Sequence, residues 1–313
     1  MKSILSIIVS LFLHSNCSIA QDFYFVTKSI EIPFFKKMKQ GCISKATELN
    51  VNCHFIEMSA SNPFLQKNAI KALQTQKVDG LALSVIHSKF HIDSLKYFKE
   101  NNIPVVTVDA DFAKDTHAKV DGLRAAYVGS DNYQLGYNLG KYLLDIVKIN
   151  HEYCIVSGYK VTDNLNERIK GFKKAIRHSN LLKENARCPL YSLENPESAI
   201  KQGFSFIEDF NSDVQSKTLV YMGSWAQINI DKYTNAFEKY KHNIKNQTIN
   251  IVSIDASKEQ IFLLKRGLSS GNLGQSPFEM GEKALETLFN LKQGKKLSSN
   301  VIYTKSVLYP SIH

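Results

Sequence analysis

The chain is 313 residues long, 43% hydrophobic and 22% charged, with 39 Lys and Arg against 29 Asp and Glu for a net charge of +10. Length and apolar content exclude a disordered chain and predict about two packed domains. The basic excess is scattered in pairs such as Lys36-Lys37, Lys173-Lys174 and Lys295-Lys296, with no block of five like charges. It reads as solvated surface, so no nucleic-acid partner is expected.

The first twenty residues stand apart from the rest. Lys2 precedes an apolar run at 4–13, and Ser18-Ile19-Ala20 places small residues where a signal peptidase reads. A cleavable signal peptide over 1–20 is expected, leaving a charge of +9 because Lys2 is the only charged residue in it. Cys17 follows His14 and Asn16, which fit a lipobox poorly. The run at 4–13 is too short to span a bilayer, and no later stretch reaches 18 consecutive apolar residues. Cys42, Cys53, Cys154 and Cys188 remain after cleavage. In an oxidising compartment, proximity favours bridges Cys42–Cys53 and Cys154–Cys188; four buried thiols are the alternative.

From Phe23 onward, short apolar runs alternate with longer amphipathic ones. Strands are predicted at 23–26, 51–57, 78–84 and 104–110, with helices from Pro33, at 63–76 and at 87–101. Asn62-Pro63 is a helix start, with Asn as cap and Pro in the first turn. The stretch 127–143 joins an apolar run, Gly129-Ser130-Asp131-Asn132 and a helix in which Gly136 and Gly140 permit close approach to a neighbouring strand. The same rhythm then restarts. Strands are predicted at 154–157, 190–193, 219–222, 251–254 and 273–275, and helices at 163–179, 196–210, 227–240, 258–267 and 277–291. Apolar strands separated by helices imply right-handed crossovers and parallel sheets covered on both faces.

Ligands of open parallel sheets bind beyond the carboxyl ends of the strands. Those ends supply Ser84, Asp109, Asp111, Ser130, Asp131, Ser224, Asp255 and Gln275. A turn or helix cap is the plainer role for any one of them; their recurrence at one topological position is what points to a site. Trp225, the only tryptophan, also follows a strand end. The sequence contains no Gly-x-Gly-x-x-Gly after a strand, no Gly-x-Ser-x-Gly and no His-Glu-x-x-His. No enzyme activity, metal or cofactor is expected.

Four segments together resemble one family. They are Ile32-Pro33-Phe34-Phe35 with Gly41, the run from Gly129 to Gly136, Arg168-x-x-Gly171-Phe172, and Ile254-Asp255-Ala256 followed by Gly274-Gln275-Ser276-Pro277. In this order they are similar to the ribose/galactose type of periplasmic solute-binding protein. The resemblance implies an α/β fold of two doubly wound parallel-sheet lobes joined by three crossover segments. It places 21–129 plus 276–303 in an N-terminal lobe and 130–275 plus 304–313 in a C-terminal lobe. It implies a periplasmic monomer that captures a sugar or polyol and delivers it to an ABC permease, or reports it to a membrane sensor kinase or chemoreceptor. Phe34 and Phe35 would stack on a sugar ring, and Asp109, Arg168, Asp255 and Gln275 would pair with hydroxyls. Ser84, Asp111, Ser130 and Trp225 complete the expected ligand-binding set. The chain also departs from the family pattern: Ile32 stands where Asn is usual, Ala110 where Arg is frequent, Glu194 where an aromatic is common, and Ser224-Trp225 replaces Asn-Asp.

Overall fold

A computed structural model describes residues 20–209 and 216–311, so the expected signal segment, Ala20 apart, lies outside the described residues. The first part of the chain alternates strand and helix: β1 (Asp22–Val26), α1 (Pro33–Leu49), β2 (Asn52–Ile56), α2 (Pro63–Leu73), β3 (Gly80–Leu83), α3 (Ile92–Glu100), β4 (Val105–Val108), the one-turn α4 (His117–Val120) and β5 (Ala126–Gly129). The second part continues with α5 (Asn132–Ile146), β6 (His151–Ser157), α6 (Asp163–Ile176), β7 (Leu182–Glu184), β8 (Leu190–Tyr191), α7 (Pro196–Ile207) and β9 (Lys217–Tyr221). It closes with α8 (Ile230–Phe237), α9 (Lys241–Lys245), β10 (Ile249–Ile254), α10 (Lys258–Lys265), β11 (Gly271–Gln275), α11 (Pro277–Lys292), β12 (Val301–Tyr303) and β13 (Ser306–Pro310).

Two sheets result. One runs β12-β5-β4-β3-β1-β2, and the other β13-β11-β10-β9-β6-β7 with β8 also on β6. Every pairing is parallel except that of β13 with β11. The antiparallel β13 was not expected from the sequence. All five of its residues are exposed, so no apolar face marked it.

Alternation along the first sheet explains why both its faces are covered. Phe23, Phe25, Ala82, Val106 and Val108 point into one core with α1 and α11 residues such as Phe35, Met38 and Leu285. Val26, Leu81, Leu83 and Val105 point the other way, onto Ile70 and Leu73 of α2 and Leu95 and Phe98 of α3. Successive strand residues face opposite sides, so a strand buried on both faces must be apolar throughout.

The chain passes between the sheets three times. After β5, the helix α5 packs on α6, β10 and β11; after β11, α11 packs on α1, β3, β4 and β5. The last pass is immediate, since β12 pairs with β5 and β13 with β11. Each lobe also holds a pair of helices that cross where glycine faces backbone. A methyl at Gly41 would overlap the Phe278 carbonyl, and one at Gly281 the Met38 carbonyl. In the other lobe Gly136 and Gly171 stand against the carbonyls of Arg168 and Tyr133. The close approach expected of Gly136 and Gly140 is therefore to helix α6 and not to a strand, since Gly136 faces the Arg168 carbonyl and Gly140 the Phe172 carbonyl and the Ala175 methyl.

Asn62 caps α2 by accepting from the amides of Phe64 and Leu65, and Asp131 caps α5 by accepting from Gln134. Cys42 of α1 is bonded to Cys53 of β2, with Cα atoms 6.2 Å apart, and Cys154 of β6 to Cys188, 5.4 Å apart.

Candidate ligand-binding site

The carboxyl ends of the strands of both sheets meet in one buried cleft. Lys28 follows β1, Asp109 follows β4, Glu194 follows β8, Ser224 and Trp225 follow β9, Asp255 follows β10, and Gln275 ends β11. Phe34 and Phe35 come from the first turn of α1, and Asn164 and Arg168 from α6. All of these line a single cavity. Asp109, Glu194 and Asp255 share a backbone oddity: φ is 64°, 58° and 78°, the left-handed region that costs a non-glycine residue strain. The three cleft carboxylates thus sit on the three least comfortable backbones at its floor.

Arg168 organises the charged groups. Its Nε donates to Asn132 Oδ1 at 2.8 Å, Nη1 to the Met222 carbonyl at 2.9 Å and Nη2 to Gln275 Oε1 at 3.2 Å. Its guanidinium lies 3.8 Å from Asp109 Oδ1. Gln275 Nε2 in turn donates to Asp255 Oδ1 at 2.7 Å. From the other lobe, Lys28 Nζ lies 2.9 Å from Glu194 Oε1 and 3.9 Å from Asp109 Oδ2, with both side chains of the Lys28–Glu194 pair under 5% exposed. Burial raises the Asp109 pKa above its ordinary value, only partly offset by Lys28, Arg168 and the Ser84 hydroxyl.

Aromatic groups form the remaining walls. Phe34 and Phe35 meet edge to face with centroids 5.1 Å apart. Trp225 is 5% exposed and lies against Gly223, where any side chain would strike its ring. An aromatic wall beside buried, oriented polar groups suits a ring with one C–H face and several hydroxyls.

Of the ten residues expected at a site, Phe34, Phe35, Asp109, Arg168, Trp225, Asp255 and Gln275 line the cavity. Three do not. Ser84 is buried beneath it and donates to Asp109 Oδ2 at 3.0 Å. Asp111 turns away to Thr107 Oγ1 at 2.7 Å and Arg124 at 2.5 Å. The Ser130 side chain is buried at the crossover, where its carbonyl lies 2.9 Å from the Tyr127 hydroxyl. That hydroxyl is also 3.0 Å from the Asp109 carbonyl, so it ties the crossover to the Asp109 turn. Sequence reasoning missed Lys28, Asn164 and Glu194 as cavity residues. Lys28 sits two residues beyond an apolar strand, the same signal that identified the others.

The lobes touch around the cavity as well as across it. Tyr159 donates to the Ser61 carbonyl at 2.5 Å, Thr162 to the Ile86 carbonyl at 3.2 Å, and Lys114 to Glu167 at 2.6 Å. This is a closed cleft.

Comparison with known proteins agrees with this architecture. The ribose import binding protein RbsB of Haemophilus influenzae is 21% identical over 299 residues, covering 95% of this chain and 94% of that protein. The crystal structure of GanP, a glucose-galactose binding protein from Geobacillus stearothermophilus, superposes with a TM-score of 0.79 at 21% identity, covering 94% of this chain and 98% of GanP. The XylFII–LytSN complex gives a TM-score of 0.77 at 20% identity, covering 94% of this chain and 98% of the matched one. A model of the periplasmic binding protein domain matches residues 23–296. Covering well over half of the chain and every cleft residue, that match means that the chain belongs to the periplasmic binding protein domain family.

Proposed function

We propose that this protein is an exported, periplasmic solute-binding protein that captures a sugar or polyol between its lobes and delivers it to an ABC importer without transforming it. The observation that carries the reading is the convergence of Asp109, Arg168, Asp255 and Gln275 with Phe34, Phe35 and Trp225 on one cavity. Ribose and glucose or galactose are what the similar RbsB and GanP are named for. Carboxylates, an amide and a guanidinium can pair with hydroxyls that both donate and accept. A wrong stereoisomer would leave such groups unpaired at about 1–3 kcal/mol each, which is ample for selectivity.

Binding requires the lobes to part, because Lys28, Asp109, Arg168 and Glu194 are each under 7% exposed and a ligand cannot reach them otherwise. Ligand contacts from both sides then favour closure, and the closed form is what a membrane partner reads. The segments 129–132, 275–277 and 303–306 act as the hinge. In a second reading the closed form reports to a membrane sensor; its support is the likeness to XylFII, which is found in complex with LytSN. Recovery from membranes with a permease or with a sensor kinase separates the two.

The test is a thermal-shift screen of pentoses, hexoses and inositols. A ligand at 100 times its Kd adds about 2.7 kcal/mol of stability. Trp225 fluorescence should follow the same ligand, and Asp255→Ala should abolish both responses. A ligand that binds Asp255→Ala as tightly as the wild type overturns the site; shifts confined to non-carbohydrates overturn the sugar reading.

A further inference from the structure

The cleft carries more negative charge than it can balance internally. Three carboxylates line the cavity, Asp109, Glu194 and Asp255, against two cations, Lys28 and Arg168. The neighbouring acids are matched elsewhere: Asp111 by Arg124, and Glu167 by Lys114 and Lys170. Lys28 is the only cation within ion-pair distance of Glu194 among the described residues, and it is shared with Asp109.

Hydrogen bonding points the same way. Among the buried side-chain atoms left without a partner, two belong to cavity-lining residues, Glu194 Oε2 and Asn164 Oδ1, and both are acceptors. A buried acceptor without a donor costs about 1–3 kcal/mol, and more when it is charged. Arg168 has two N–H groups beyond its three hydrogen bonds, so a ligand hydroxyl can still be met as an acceptor. The remaining demand is for positive donors.

Resting on the reading of the cleft as a sugar or polyol site, we infer that the ligand carries a protonated amine beside its hydroxyls, with Glu194 as the residue that selects it. An ammonium beside Glu194 Oε2 satisfies the unpartnered oxygen, balances the charge three against three, and leaves Asp255, Arg168 and Gln275 for hydroxyls. A neutral sugar leaves one carboxylate short of a counter-charge, and a sugar acid adds a second.

The experiment is calorimetric titration of the full mature chain with matched sets of the gluco, galacto and manno series: the neutral hexose, the 2-amino-2-deoxyhexose, its N-acetyl derivative and the hexuronate. Putrescine and L-lysine are added as amines that are not sugars. A hydrogen bond to a charged partner is worth enough for a tenfold or larger preference (about 1.5–3 kcal/mol). The expected result is an amino sugar binding at least about tenfold more tightly than both its parent and its N-acetyl derivative, with Glu194→Gln bringing that ratio to about one. A parent hexose or hexuronate that binds as well as its amine overturns the inference and leaves the sugar reading standing. Binding of putrescine or L-lysine alone supports the amine and overturns the sugar. No binding by any member at 10 mM overturns both. The wild-type ratios carry the test if Glu194→Gln does not fold.

Discussion

Substituting Lys28 by Met keeps an unbranched stem and removes one of the charges that join the lobes, the one paired with Glu194. In the closed form Glu194 is then left without its 2.9 Å partner, at a site where its side chain is 1% exposed. Asp109 keeps the Ser84 hydroxyl at 3.0 Å and Arg168 at 3.8 Å, so most of the loss falls on Glu194. Removing one member of a buried pair costs about 3–5 kcal/mol, because the other charge stays desolvated. Once the lobes separate, Glu194 regains water, so the cost applies to closure and not to the folding of either lobe. At 1.4 kcal/mol per decade, the closed population falls about 100-fold to several thousand-fold relative to the open one. Ligand affinity that depends on closure falls by up to the same factor.

Small-angle scattering reads the change directly. Lys28→Met should have a larger radius of gyration than the wild type, with little change in its urea midpoint. Replacing both partners, as in Lys28→Met with Glu194→Leu, removes both charges and should restore the compact form, since apolar replacement of a buried pair is often neutral or stabilising. A Lys28→Met protein as compact as the wild type but several kcal/mol less stable would refute the reasoning. So would a double variant as extended as the single one.

Three further outcomes test the scaffold beneath the cleft. Gly136→Ala places a methyl on the Arg168 carbonyl, so α6 must shift; urea unfolding should show a loss of about 1–3 kcal/mol, and ligand affinity should fall because the same helix turn holds the guanidinium. Burial, and then the charges of His87 and Lys67, lower the His91 pKa from 6.5 to about 4. Its Nε2 donates to Gln66 Oε1 at 2.9 Å, and its Nδ1 is buried without a partner. His91 therefore favours the folded state fully above pH 6.5, and about 3 kcal/mol is lost as pH falls from there through 4; urea midpoints of wild type and His91→Gln should converge over that window. Reduction should lower the urea midpoint, since loops closed over separations of 11 and 34 residues restrict the unfolded chain by about 3 and 4 kcal/mol in the chain-entropy account. Midpoints unchanged by dithiothreitol would show that the thiols are not bridged.

The fold was legible because parallel sheets covered on both faces leave a plain signature. Strands such as β3 and β4 are buried at every position, and helices such as α2 begin at a visible Asn-Pro cap. Some short pieces were not legible. β7 has three residues and β13 is fully exposed; each is held by the register of its neighbour, which no local pattern encodes, whereas the two-residue β8 falls inside the strand predicted at 190–193. Side-chain direction limited the site in a similar way. Ser84 and Asp109 both follow apolar strands, yet Ser84 points beneath the Asp109 carboxylate and supports it from below. Topology names the end of a strand, while one residue of offset decides which side of the floor a side chain faces.

The charge set shows what a one-residue-at-a-time reading loses. Ala110 where the resembled family often has Arg, and Glu194 where it often has an aromatic, each look like a lost contact when taken alone. Together with Lys28 they describe a different arrangement. Lys28 Nζ stands 3.9 Å from Asp109, supplying a cation from β1 that position 110 does not supply from β4. The same ammonium reaches Glu194, 166 residues away in sequence and in the other lobe. An aromatic at 194 could close the cleft by packing; a glutamate there can do so only against a positive charge, and Lys28 provides it. The two departures thus belong to one rearrangement, in which the Lys28–Glu194 pair supplies the cation that position 110 lacks and takes the place of an aromatic at 194, and its consequence is that closure and the proposed ligand choice rest on the same pair of residues.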